Sequence, residues 1–277
     1  MTKTQTRPMS KSASALDQAL AAVSMYTRLP AWRLRELPRE AYSQAINWWP
    51  VVGFIVAGAM SLMLLGSYLL TGSWVVAFVL ALIARLLLTG GFHEDGLADF
   101  FDGFGGGRER ERILMIMKDS HIGSYGVLSL ILYFILLVLA MQSIPDAHHP
   151  LLLIYAGVYG RILSMQQIRL LPYAREEEQS KTGVVYTPTN PWPSILSLVI
   201  IFALLAHFIS EGGEGMVYRT RGVILSLLLP IALVRGLIAY IRKRIGGYTG
   251  DCCGAVYLMA ELVIILSFRA SYPLPID

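Results

Sequence analysis

Charge is scarce in this chain: Asp, Glu, Lys and Arg make up 15% of its 277 residues, against 55% that are hydrophobic. Soluble domains carry about 25% charged residues, so this composition excludes an ordinary water-soluble protein. Cysteine is nearly absent. The two present, Cys252 and Cys253, are adjacent. Without CxxC spacing or an ordinary disulfide they exclude a disulfide framework and read as packing residues. The opening MTKTQTRPMSKSAS has no apolar core, which argues against a cleavable signal peptide. Internal repeats are lacking, and no polar stretch is long enough to fold as a separate soluble domain.

What the chain has in quantity is long apolar sequence. Stretches at about 46–70, 74–90, 125–144, 151–171, 193–210, 222–241 and 253–269 approach or reach the length needed to cross a hydrocarbon core of roughly 30 Å. The expected fold is all-α: a polytopic helical membrane protein of about seven transmembrane helices, a single integral-membrane domain over 1–277. Lys and Arg concentrate in 1–45, 91–124, 172–192 and 242–252, whereas the opposite side holds Arg219, Arg221 and Arg269. The positive-inside rule then puts the N-terminus and the first set of segments in the cytoplasm. The net charge of +4 reflects this orientation, with no nucleic-acid footprint. Within the N-terminal 1–45 extension, Ala15 to Leu29 reads as an amphipathic helix on the membrane surface.

Chemistry concentrates in GGFHEDGLADFFDGFGGGRERERILMIMKDSHIGSYG, from Gly90 to Gly126. Glu94, Asp95, Asp99 and Asp102 fall within nine positions. Carboxylates at this density repel one another unless a cation sits among them. On a helix Asp95, Asp99 and Asp102 share one face within about 60° of arc, while Glu94 and His93 point elsewhere. Hard oxygen ligands favour Mg²⁺ or Mn²⁺, completed by substrate phosphate oxygens. The bland alternative is a solvated acidic face. Gly91, Gly96 and Gly103 would permit close approach to a ligand. The 91–124 segment thus reads as an acidic and basic active-site loop. In it, Arg108 and Lys118 would hold phosphate, Arg110 would pair within RERER, and Asp119 would be a further ligand or a helix cap.

Four arginines lie in apolar stretches. Arg85 and Arg169, near stretch ends, read as snorkelling; Arg161 and Arg235 suggest an electropositive vestibule for an anionic diphosphate. The run Gly246 to Ala255 carries Asp251, which either completes a metal site or caps a helix. Two readings compete. A metal-held carboxylate cluster beside a basic glycine-rich loop suggests transfer of a diphosphate-activated group, in which positioning and charge neutralisation do most of the work. A transporter would explain the buried arginines, but not the acidic run, and there is no inverted repeat. Asp95-Gly96-Leu97-Ala98 is also similar to the opening of the CDP-alcohol phosphotransferase motif, but Asp99 stands where that motif continues with Ala-Arg.

Five ordered segments carry a closer resemblance: Thr27-Arg28-Leu29-Pro30; Gly91 to Asp99 with Asp102-Gly103; Ile116 to Ser120 with Ile122-Gly123; Leu171 to Arg175; and Gly247 to Asp251 with Gly254-Ala255. Through nearly its whole length the chain resembles the cobalamin synthase family, the adenosylcobinamide-GDP ribazoletransferases. That resemblance implies an Mg²⁺-dependent enzyme of the bacterial inner membrane. It joins α-ribazole, or its 5′-phosphate, to adenosylcobinamide-GDP with release of GMP, in company with the lipid bilayer and other late cobalamin-pathway enzymes. Mapped onto this sequence, Asp95, Asp99 and Asp102 would hold the metal and Glu94 or Asp251 would act as an additional ligand or base. His93, Arg108, Lys118, Asp119, Arg161 and Arg175 would contact substrate.

Overall fold

The computed structural model describes residues 13–175 and 185–272, and the first twelve residues of the N-terminal extension lie outside them. The described chain is helical. α1 (Ala15–Tyr26) and α2 (Arg39–Gln44) precede α3 (Trp49–Thr71), α4 (Trp74–Thr89), α5 (Phe92–Gly106), α6 (Arg110–Ile116) and α7 (Ser124–Gln142). Then come α8 (His149–Ser164), α9 (Gln166–Leu170), α10 (Trp192–Ser210), α11 (Met216–Ile245) and α12 (Gly250–Phe268). Local chemistry sets the ends. Ser14 and Asp17 form a capping box, Ser73 caps α4, and Gly72, Gly90 and Gly246 close helices in the left-handed conformation.

All seven apolar stretches are helical, and the protein is an all-α polytopic membrane protein. Among the described residues five helices are long and apolar enough to cross a membrane: Arg39–Thr71, Ser124–Gln142, Trp192–Ser210, Gly213–Ile245 and Gly250–Ser271. The expected seven shrinks because α4 and α8 have only 16 residues each, about 24 Å at 1.5 Å per residue. Gly90 and Gly91, with φ of 72° and 70°, turn α4 into α5 through 90°, so the pair counts as a sixth span only if it is one broken span. The stretch expected over 151–171 breaks at Met165. There Ser164 Oγ donates to Cys253 O at 2.7 Å, and Gln167 Nε2 donates back to Ser164. α8 is the central helix, buried along most of its length.

Most of the region 91–124 is therefore two helices, α5 and α6, and the links at 107–109 and 117–123 are non-helical. α5 packs along α12, with Gly96 and Gly254 at the crossing: a Cβ on Gly96 would lie 3.1 Å from Asp251 O, and one on Gly254 3.2 Å from His93 O. Gly96, expected to admit a ligand, admits a neighbouring helix instead. α1 docks on the bundle through Ala21, Ala22 and Tyr26, whose ring stacks on Trp49 at 5.5 Å. Cys252 and Cys253 are free and buried, as packing residues should be.

A polar network crosses this apolar interior. Arg85 is 2.9 Å from Glu94 and 2.8 Å from Glu261. Glu261 also accepts from Tyr133 at 2.5 Å and from Tyr257 at 3.0 Å, and Tyr257 accepts from Arg161 at 2.9 Å. Arg85 does not snorkel. Its helix ends exposed at Gly90, but the 90° bend there brings Glu94 alongside, and Glu94 and Glu261 hold the guanidinium inside. Arg169 is exposed, as expected near a helix end.

Candidate active site

Backbone and arginine contacts gather the sequence motifs at one end of the bundle. Pro172 O accepts from Tyr248 N at 2.9 Å, and Tyr248 O from Ala174 N at 2.8 Å, a single parallel bridge joining Leu171–Arg175 to Gly247–Asp251. Arg110 donates to Ile245 O at 2.9 Å and to Ala174 O at 2.7 Å, and Arg244 donates to Gly107 O at 2.7 Å. Arg28 N donates to Leu88 O beside the α4–α5 bend. Arg110 thus ties three segments together instead of pairing only within its own run. Arg219 and Arg221 bond Phe208 O and Ala270 O.

The carboxylates of α5 part company. Asp95 is exposed, and Asp99, one turn on, is buried. Asp102 is buried, and its carboxylate accepts from Gly123 N at 2.7 Å and Gly126 N at 2.9 Å, tying α5 to the start of α7. A carboxylate has about four lone-pair positions, so two remain for other partners. Asp251 stands at the start of α12, against Gly96 of α5. It does not cap that helix: Thr249 Oγ1 accepts from Cys252 N. Arg175 Nη2 lies 3.6 Å from Asp251 Oδ2.

Beyond Arg175 opens a cleft of about 570 Å³ lined by Arg110, Glu111, Lys118, Tyr173 and Arg175, with Leu114 and Met115 forming its apolar wall. Lys118 and Arg175 therefore meet where the sequence suggested phosphate contacts. Arg108 is exposed beyond the end of α5. Asp119 is exposed and bonds His121 through N at 3.0 Å and Nδ1 at 2.7 Å, and this partner holds its carboxyl below the usual carboxylate range. The remaining expected residues lie inside the bundle. His93 stacks on Trp49 at 5.7 Å and meets Tyr257 edge-on at 4.9 Å; Glu94 pairs with Arg85; Arg161 sits 4.2 Å over the Tyr257 ring. The vestibule expected from Arg161 and Arg235 is not formed: Arg161 is 1% exposed within the helices, and Arg235 faces outward on α11.

Among the described residues no three His, Cys, Asp or Glu side chains form a ready metal cage. The donor chemistry at this end still fits a hard cation, because Mg²⁺ uses one or two carboxylates and takes its other oxygens from water and phosphate. Glu261 was missed in the sequence. Its signal, a lone acid in the apolar run of α12, was present.

The model of the family described as cobalamin-5-phosphate synthase matches residues 18–269. The adenosylcobinamide-GDP ribazoletransferase of Shewanella baltica (strain OS185) is 37% identical over 255 residues, covering 90% of this chain and 92% of that protein. The protein of the same name from Brevibacillus brevis is 34% identical over 260 residues, 93% and 99% of the two chains. No solved structure matches. With a family model matched over nearly its full length and relatives aligned from end to end, this chain belongs to the cobalamin-5-phosphate synthase family.

Proposed function

We propose that this protein is an adenosylcobinamide-GDP ribazoletransferase that transfers cobinamide phosphate to α-ribazole, or to its 5′-phosphate, in assembly of the cobalamin nucleotide loop. The relatives' names and the family match support this reading. The observation that carries it in the structure is the meeting of carboxylates and a cationic cleft at one end of the bundle, linked through Arg175 and Asp251.

A ribose hydroxyl of the ribazole attacks the phosphorus attached to the cobinamide arm. The new P–O bond forms as the bond to the bridging oxygen breaks, and GMP leaves with that oxygen. Asp251, at the boundary between α5 and the cleft, accepts the hydroxyl proton on its carboxylate. Glu94 is unsuited to that task because Arg85 holds it inside the bundle. Lys118 and Arg175 contact phosphate oxygens, and Arg108 adds positive charge at the approach. His93, wedged between Trp49 and Tyr257, fixes the start of α5. Asp95 and Asp99 would hold Mg²⁺, which would neutralise charge on the diphosphate, while Asp102, expected as a third ligand, keeps its bonds to the Gly123 and Gly126 amides. The reaction takes place on the cytoplasmic face of the inner membrane, to which the basic segments assign this end.

The test uses membranes from a host lacking its own synthase, with GMP release and corrinoid product measured in Mg²⁺ or EDTA. Asp95→Asn and Asp99→Asn should each abolish product without loss of insertion. Activity that survives complete metal removal overturns the Mg²⁺ assignment. A wild-type preparation that forms no cobalamin from adenosylcobinamide-GDP and α-ribazole overturns the transferase reading.

A further inference from the structure

The cleft between α6 and the 172–175 segment lies on the far side of Arg175 from the carboxylates, so neither the metal nor the attacking hydroxyl accounts for it. We infer that this cleft binds the guanosine half of the GDP-bearing substrate, and GMP once transfer is complete, with Tyr173 against the base and Glu111 reading its hydrogen-bonding edge. The inference rests on the transferase reading for the identity of the base.

Its size, about 570 Å³, falls within the roughly 300–1,000 Å³ of small-molecule sites. Its charge suits a nucleotide at one end and a base at the other. Arg175 has a side chain only 4% exposed. Its Nη2 reaches Leu114 O at 3.4 Å, and its Nε is buried without a hydrogen-bond partner. A donor held this rigidly, between Asp251 and the cleft, suits a phosphate oxygen, and desolvation makes the match strong. Arg110 is locked onto Ile245 O and Ala174 O, so its charge is fixed in place. Lys118 supplies an exposed cation at the cleft's edge.

Glu111 has no such commitment. Its side chain is 79% exposed, and Arg110 is 3.7 Å away, beyond hydrogen-bond length. A carboxylate accepts and never donates. Guanine presents adjacent donors at N1 and at the exocyclic amine, which adenine does not, so a carboxylate in this position selects guanine. Tyr173 brings a ring to the same cleft, braced edge-on by Tyr248 at 5.4 Å. Base–aromatic stacking would add affinity without discriminating among bases.

Equilibrium dialysis of GMP, IMP and AMP against the purified full chain in detergent, in EDTA, tests this with the metal excluded. IMP lacks the exocyclic amine. GMP should bind, IMP about tenfold more weakly and AMP more weakly still. Glu111→Gln, which replaces a charged double acceptor with one neutral acceptor, should narrow the GMP/IMP ratio to about threefold or less. Lys118→Ala should weaken both nucleotides alike. Both side chains are exposed, so neither change threatens folding. Absence of GMP binding, equal affinities in the wild type, or a ratio unmoved by Glu111→Gln overturns the nucleotide cleft. None of these touches the transferase reading, which is judged by turnover. Selective GMP binding in a preparation that forms no cobalamin would sustain the cleft and sink that reading instead.

Discussion

Arg85 separates two acids in the interior, with Nη2 2.9 Å from Glu94 Oε1 and Nη1 2.8 Å from Glu261 Oε2. Arg85→Leu would leave both carboxylates buried without their shared cation. Removing one partner of a buried ion pair costs about 3–5 kcal/mol. Loss of the bond to Tyr133 at 3.2 Å adds about 0.5–1.5 kcal/mol. Glu261→Leu should be milder, because Arg85 retains Glu94. The double variant Arg85→Leu/Glu261→Leu removes one charge of each sign and leaves Glu94 without its Arg85 partner, as Arg85→Leu alone already does. Replacing a complete buried pair with apolar groups is often close to neutral. The double variant should therefore lose less than the sum of the single losses, by about 1–3 kcal/mol. Thermal unfolding of the detergent-solubilised variants, followed by circular dichroism, measures the cycle. Additivity to within about 0.5 kcal/mol would show that Arg85 and Glu261 are not coupled, and the network argument would fail.

Asp102→Asn keeps the shape of the side chain but weakens its hold on the Gly123 and Gly126 amides. It should cost about 1.5–3 kcal/mol and speed proteolysis at 117–123, and an unchanged cleavage rate would refute the tie to α7. Gly254→Val places a side chain where even a Cβ meets His93 O at 3.2 Å. It should reduce turnover at least tenfold while insertion is retained, and full activity would mean that the α5–α12 spacing does not matter. For orientation, Ser120→Cys and Lys243→Cys, in a background lacking Cys252 and Cys253, should resist an impermeant thiol reagent in intact cells, whereas Ser143→Cys should react. The opposite labelling pattern would invert the topology.

The helices were legible because long apolar runs identify themselves locally, and the shared face of Asp95 and Asp99 followed from helical spacing alone. What a local pattern cannot show is which partners a bend brings to the end of a helix. Arg85 sits near the end of an apolar stretch, yet the 90° bend at Gly90-Gly91 brings Glu94 back to it, and Glu261 of α12 completes its pairing in the interior. Asp102 likewise matches its neighbours in spacing, and only the arrival of Gly123 and Gly126 gives its carboxylate a backbone task. The bridge between Tyr173 and Tyr248 joins segments far apart in sequence, where periodicity carries no information. Glu261 could have been read from the chain by the reasoning applied to the arginines, since an acid within an apolar span needs a cation.

The glycine crossing of α5 and α12 also bears on how the enzyme would respond to its lipid surroundings. A spanning helix responds to bilayer thickness within what its packing allows, and α12, long and apolar enough to span, is 78% buried among its neighbours. A lever moves least beside its fulcrum. If Gly254 against Gly96 is the pivot, a tilt of about 10° carries Asp251, three residues away, through only about 0.8 Å, whereas Phe268 swings through about 3.6 Å. The Asp251 end of α12 would then be insulated from membrane thinning and thickening, with the compliance confined to the Phe268 end.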